Sequence, residues 1–406
     1  MLRILCTVLL LSVSLSCDRT QNRTLGSDHE SLEHSMQLAG KYLAGVTGPE
    51  GRFDYRVSVE TGESLGGYNL LRHAGTMYSM CEYVERSGDE EVKTAVLRAA
   101  TFLQKTLKPI PGEPGILGVW SEPGVIDDVS ERQCKLGGVG LGLVALAWVE
   151  RIAPGTTSPE KLEAVGDFAL FLQREDGSFY DGYNPKKGGR SDREPSIFYP
   201  GEVALGLALL YRCDGNTKWL QAASDALLYL ARRRNGQTKV PSDHWALLAS
   251  QVVLAEFGNL PNPPPREVFV EHVRQLSRAQ VANFPTFPDS SVYHGALINS
   301  GSSSATATRV EGLTAALRSL EPSDPLVDEL GPAVTKAVAF LQRCQIKEGS
   351  LAGGIPGAIE PLPDTKENEF FNSYAREIRI DYVQHALSGM LGFVRWQEET
   401  QAREAS

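Results

Sequence analysis

Twelve helix-sized apolar stretches follow one another from about Ser27 to Trp396, and they alternate between two kinds. One kind ends in an aromatic-Leu step: Tyr42-Leu43, Phe102-Leu103, Phe171-Leu172, Tyr229-Leu230 and Phe340-Leu341. The other is rich in small residues and opens with polar ones, as in Asn69-Leu70-Leu71-Arg72-His73 or Ser242-Asp243-His244-Trp245. The first four steps recur at roughly 60 residues and the last lies about two periods on, so a weaker copy at Gln275-Leu276 completes the series. Such a unit cannot bury its apolar face without its neighbours, which makes the repeated region one folding unit despite its length.

Apolar periodicity and turn chemistry predict helices over about 28–46, 70–87, 89–106, 134–151, 158–174, 199–213, 215–233, 242–258, 265–282, 305–320, 325–344 and 377–397. Ser87-Gly88-Asp89, Ala153-Pro154-Gly155 and Asp214-Gly215-Asn216 are turns between paired helices, and Ser158-Pro159 is a cap followed by proline at the first helical position. The small-residue helices carry Gly and Ala on several faces, which suits an inner ring packed on all sides. The aromatic-Leu helices keep a charged face, as in Glu90, Glu91, Lys93 and Arg98, which suits an outer ring. Six such hairpins predict an all-α (α/α)6 toroid, a single domain over 27–398 with a polar tail at 399–406. Inner helices then run parallel, and their leading ends meet at one mouth.

Arg3 followed by the apolar run Ile4–Leu15 has the length of a signal-peptide core and is too short to span a bilayer, so residues 1–17 read as a signal peptide and 18–26 as a polar tether. Ser14-Leu15-Ser16-Cys17 resembles the cleavage box of bacterial lipoproteins. Lipidation of Cys17, giving a periplasmic or membrane-anchored protein, stands beside plain cleavage and export. Cys81, Cys134, Cys213 and Cys344 lie far apart without a CxxC spacing and read as buried free thiols. A net charge of -10 with no basic stripe excludes nucleic acid as a partner. Membrane contact is expected only through the N-terminal anchor.

The alternating hairpins, with loops such as Gln173-Arg174-Glu175-Asp176-Gly177-Ser178-Phe179 after outer helices, resemble the six-hairpin glycosidase-like superfamily. Terpene cyclases and protein prenyltransferases share the plan. Membership implies chemistry on an oligo- or polysaccharide by hydrolases, lyases or sugar epimerases, although a fold of this kind does not fix the reaction. Loops carrying Phe53, Trp120, Phe179 and Tyr180 would offer stacking faces to sugars at the mouth.

Polar residues open the inner helices there: Asn69, Arg72 and His73; Tyr199 and Glu202; Asp243, His244 and Trp245; Arg309 and Glu311; Glu377, Arg379, Asp381 and His385. Hydrolysis needs a paired acid and base or nucleophile, for which Glu202, Asp243, Glu311 and Asp381 are the candidates. Proton abstraction, as in a lyase or epimerase, would use Tyr199, His73, His244 or His385 with arginine neutralising the substrate. Asn69, Arg72, His73, Trp245, Arg309, Glu377, Arg379 and His385 are the binding candidates. So many arginines exceed what a neutral sugar needs and point to an anionic, uronate-containing glycan. Hydrolysis leads, lyase or epimerase chemistry follows, and a non-catalytic glycan-binding scaffold is the alternative in which the acidic residues are only helix caps. No cofactor is expected, because P-loop, GxGxxG and GxSxG patterns are absent. No metal is expected either, since the histidines form neither an i, i+4 pair nor HExxH. His29, His34, His272 and His294 fall outside the mouth and read as surface residues. The segments 283–304 and 353–372 read as surface loops, with a lid as the alternative.

Overall fold

The computed structural model describes residues 32–126, 129–192 and 195–405. The signal-peptide, lipidation and tether expectations, with His29, Asp127 and Asp128, lie outside them. Helix α1 spans 32–45. The others are α2 (Leu70–Ser87), α3 (Glu90–Lys105), α4 (Leu136–Ile152), α5 (Pro159–Leu172), α6 (Tyr199–Asp214), α7 (Thr217–Arg234), α8 (His244–Ala255), α9 (Arg266–Val281), α10 (Ser303–Ser319), α11 (Pro325–Cys344), α12 (Glu369–Ala375) and α13 (Ile380–Glu404). Helices α2, α4, α6, α8, α10 and α13 each pack on the next, and α13 returns to α2, so the inner ring is closed. The outer helices lie over the grooves between them. The protein is an (α/α)6 toroid, and among the described residues no helix is long and apolar enough to cross a membrane.

Composition divides the rings. Fourteen of the seventeen residues of α4 are buried, against six of the sixteen in α3, because α4 meets neighbours on every side while α3 shows solvent its charged face. Close approach in the inner ring depends on glycine: a Cβ at Gly206 would lie 2.6 Å from the carbonyl oxygen of Gly140 on the adjacent helix. The outer helices hold on by their apolar stripe, where Val92, Val96 and Leu103 are fully buried and each contributes about 1.5–3 kcal/mol.

The two ends of the barrel differ. Inner-to-outer turns are short, and Gly88 and Gly215 adopt left-handed conformations that close them. Outer-to-inner connections are longer and hold all the short strands seen among the described residues: β1 (Arg56–Ser58), β2 (Leu107–Ile110), β3 (Glu113–Val119), β4 (Cys134–Lys135), β5 (Gly182–Asn184), β6 (Gly189–Ser191) and β7 (Glu377–Arg379). These are antiparallel pairs and one three-stranded sheet, β4-β5-β6, clustered around the mouth.

Three expectations change. Glu377 and Arg379 do not open the last inner helix; they alternate along β7 opposite Ser58 and Arg56, so only Asp381 and His385 share a helix face. That helix also runs on through Glu404, where a polar tail was expected. The segment 283–304 lies largely at the surface, as read from sequence, and its C-terminal end is held where Ser303 N donates to Gly357 O and Leu297 N donates to Thr306 Oγ1. Cys81, Cys134 and Cys344 are buried thiols, whereas Cys213 is exposed.

Candidate functional site

The mouth holds two linked groups of side chains. The first is an arginine-carboxylate lattice between β1, β7, α2 and α13. Arg379 chelates Asp381 through Nε at 2.6 Å and Nη2 at 3.0 Å, while Arg72 Nε reaches the same carboxylate at 3.1 Å and its Nη1 meets the Tyr55 hydroxyl. Burial alone would push the Asp381 carboxyl up, but Arg72 and Arg379 outweigh it and hold it below the usual range. Glu377 accepts from the Tyr382 hydroxyl at 3.0 Å and pairs with Arg56 at 3.3 Å. A shallow cavity of about 240 Å³ touches Tyr55, Asn69, Arg72 and Arg379. Asn69 caps α2 by accepting from Arg72 N.

Deeper, His244, Glu311 and His385 come together from α8, α10 and α13. His385 Nδ1 donates to Glu311 Oε2 at 2.7 Å. His244 Nε2 lies 3.7 Å from the same oxygen, and the two imidazoles stand edge to face with centroids 5.2 Å apart. Among the described residues, neither ring nitrogen of His244 has a hydrogen-bond partner, nor does Glu311 Oε1, although His244 is 3% exposed and Glu311 1%. Burial, with His385 and Arg309 nearby, holds His244 well below an ordinary histidine, so its imidazole is neutral at neutral pH. Gly312 makes this possible: a Cβ there would meet His244 Cα at 2.9 Å. Trp245 and Phe198 wall the pair, at 4.9 Å and 5.4 Å from the His244 ring.

Arg309 stands beside His244. Its one hydrogen bond in the described structure runs to its own helix, Ala305 O at 2.9 Å, and no carboxylate pairs with it. Burial lowers its pKa with nothing opposing. Glu202, on the first turn of α6, lies against Gly137, where a Cβ would fall 2.3 Å from Glu202 Oε2 and 2.4 Å from the Tyr199 ring. Burial first, then the charge of Asp243, pushes the Glu202 carboxyl up to about 8.

Other candidates have structural duties. Asp243 is fully buried, caps α8 through Ala246 N at 3.0 Å, and pairs with Arg234 at 2.6 Å. His73 accepts from the Tyr68 hydroxyl at 2.7 Å and donates to Ala99 O at 3.0 Å, which makes it a satisfied core residue held down to about 4 by burial. Trp245 is buried and presents no open face, and the same holds for Phe53, Trp120 and Phe179 in the loops, whereas Tyr180 is half-buried with the Arg174 guanidinium over its ring. His272 is no surface residue: it is buried 3.3 Å from Arg234. Arg234, Tyr55 and Arg56 were missed from sequence, because Arg232-Arg233-Arg234 looks like an exposed charged face and the tyrosine precedes a strand too short to recognise.

No family model matches the sequence, and no curated protein matches it significantly. Solved structures do. The cellobiose 2-epimerase of Spirochaeta thermophila superposes with a TM-score of 0.65 over 94% of this chain and 99% of that one, at 13% identity. The shared fold is the (α/α)6 toroid. An unsaturated glucuronyl hydrolase specific for heparin (TM-score 0.61, 12% identity, 91% of this chain and 98% of that one) shares it. So does an inactive variant of an α-1,6-mannanase of a Salegentibacter species in complex with α-1,6-mannotriose (0.60, 10%, 90% and 99%). These six-hairpin neighbours act on glycans, and at such identities the likeness establishes architecture while chemistry must be argued from the site.

Proposed function

We propose that this protein is a carbohydrate-active enzyme that moves a proton at a carbon next to the carbonyl of an anionic sugar, an epimerase or isomerase, with His244 and His385 as the acid-base pair. The observation that carries this reading is the pair of imidazoles that meet edge to face, 5.2 Å apart, beside one oxygen of Glu311. Neutral His244 accepts the proton from carbon, the electron pair is held as an enediolate, and His385, which enters the step as imidazolium, returns its proton to the other face or to the neighbouring carbon. Glu311 orients His385 and stabilises its imidazolium. Arg309, a half-buried cation without an acid partner among the described residues, would neutralise a uronate carboxylate or the enediolate.

The paired-carboxylate reading, which leads from sequence, loses support because Asp243 and Asp381 are already held by Arg234, Arg72 and Arg379. Hydrolysis stays as the second reading on one observation, the raised carboxyl of Glu202, which could protonate a leaving oxygen. Proton NMR in deuterated buffer separates the two across a panel of neutral and uronate-ended sugars. Proton transfer washes deuterium into the carbon next to the carbonyl, whereas hydrolysis releases new reducing ends without it. Absence of exchange from every sugar would overturn the proposal. Export through the N-terminal apolar run, with Cys17 as lipid anchor, belongs to the same proposal, and mass spectrometry of the mature N-terminus tests it.

A further inference from the structure

We propose that His244, Glu311 and His385 also form a capture site for one divalent cation of the zinc type. One ligand atom from each residue lies within 4.8 Å of the others. A tetrahedral zinc with bonds of about 2.0–2.2 Å needs its ligand atoms roughly 3.4 Å apart, so the widest separation must close by roughly 1.4 Å while the 2.7 Å contact of His385 Nδ1 with Glu311 Oε2 opens. The three residues come from separate helices packed in the ring, so the adjustment falls to their side chains.

The donors point to the class of ion. Two imidazoles and one carboxylate favour zinc, copper or nickel over magnesium or calcium, which prefer all-oxygen shells. Three protein ligands leave the fourth position open. An ion would satisfy one of the two unpartnered ring nitrogens of His244 and the Glu311 carboxylate, whose Oε1 is also unpartnered. Unmet polar atoms at such depth cost about 1–3 kcal/mol each, which gives a ligand a standing advantage there. Arg309 opposes the ion's charge, and the Glu311 carboxylate offsets that opposition. Entry is available from the far end of the barrel, where a cavity of about 160 Å³ lined by Tyr78, Glu82, Trp148 and Ser388 reaches Glu311. The missing i, i+4 histidine pair speaks only to sites built on one helix, and this one spans three.

A bound ion occupies the lone pairs that proton transfer needs, so metal and sugar chemistry exclude one another. Capture itself needs no turnover, and it stands or falls separately from the proposed reaction. The test is titration of the chelator-treated protein with Co²⁺, read by visible absorption, and with Zn²⁺, read by calorimetry. One saturable equivalent is expected, weakened at least ~100-fold in His385→Gln and Glu311→Gln and unchanged in His294→Ala, whose histidine lies outside the ring. Nitrogen-correlated NMR of the wild-type histidines should show two imidazoles shifting together on Zn²⁺ addition, which needs no variant to fold. No saturable binding, binding kept in the folded trio variants, or binding lost in His294→Ala would overturn the proposal.

Discussion

Replacing Glu202 by glutamine should stabilise the protein, and by an amount that grows with pH. The buried carboxyl titrates at about 8 in the fold against an ordinary 4.5, so its contribution to folding is fully present below about pH 4.5 and is lost as pH rises to 8. At about 1.36 kcal/mol per pKa unit, the wild type forfeits about 3 kcal/mol by pH 7 and about 4 kcal/mol by pH 8. Glutamine forfeits none of it. Any cost of fitting the amide is present at every pH, so the rise in relative stability between pH 4 and pH 8 isolates the charge. About 370 described residues at roughly 2.1 cal/mol/K each give ~0.8 kcal/mol/K, so about 4 kcal/mol corresponds to a relative gain near 5 °C. Thermal or urea unfolding of both proteins across that range is the assay. A difference that does not change with pH would refute the reasoning, because Glu202 would then be solvated or paired.

Arg234→Met should cost about 3–5 kcal/mol by leaving Asp243 buried and unpaired, and Arg234→Met with Asp243→Asn should recover most of it, since asparagine still caps α8; urea unfolding of the set closes the cycle. Arg309→Gln should lower kcat/KM for acidic sugars about 10- to 100-fold while sparing neutral ones, as expected for one charge-assisted contact, and equal losses on both would count against an anionic substrate. Asp381→Asn should destabilise by about 3–5 kcal/mol at pH 7, with the difference shrinking as pH falls below the carboxyl's ordinary 3.8, where the wild type loses the same ion pairs; a pH-independent difference in urea titrations would deny that lattice.

The hairpins were legible because a ring helix must repeat its apolar spacing over several turns, and turn glycines such as Gly88 and Gly215 mark the junctions. Strands of two to seven residues carry no comparable period, which is why Glu377-Ile378-Arg379 reads as helix until its partner Arg56–Ser58 is known. Sequence placed the leading ends of the inner helices together, but it could not rank the residues on them. His73 and His244 look alike in the chain, yet one is satisfied by Tyr68 and Ala99 while the other keeps both nitrogens unpartnered. Whether an acidic residue is free or held is also decided by distant arginines: Arg234 for Asp243, Arg72 for Asp381.

Two bases on opposite faces of one carbon leave a signature that one base cannot. In deuterated buffer, His244→Asn should still exchange the proton of one epimer and lose exchange from the other, and His385→Asn should show the reverse preference, while neither interconverts the epimers. If the two variants share the same preference, or if both still interconvert the sugars, the paired imidazoles do not carry the reaction.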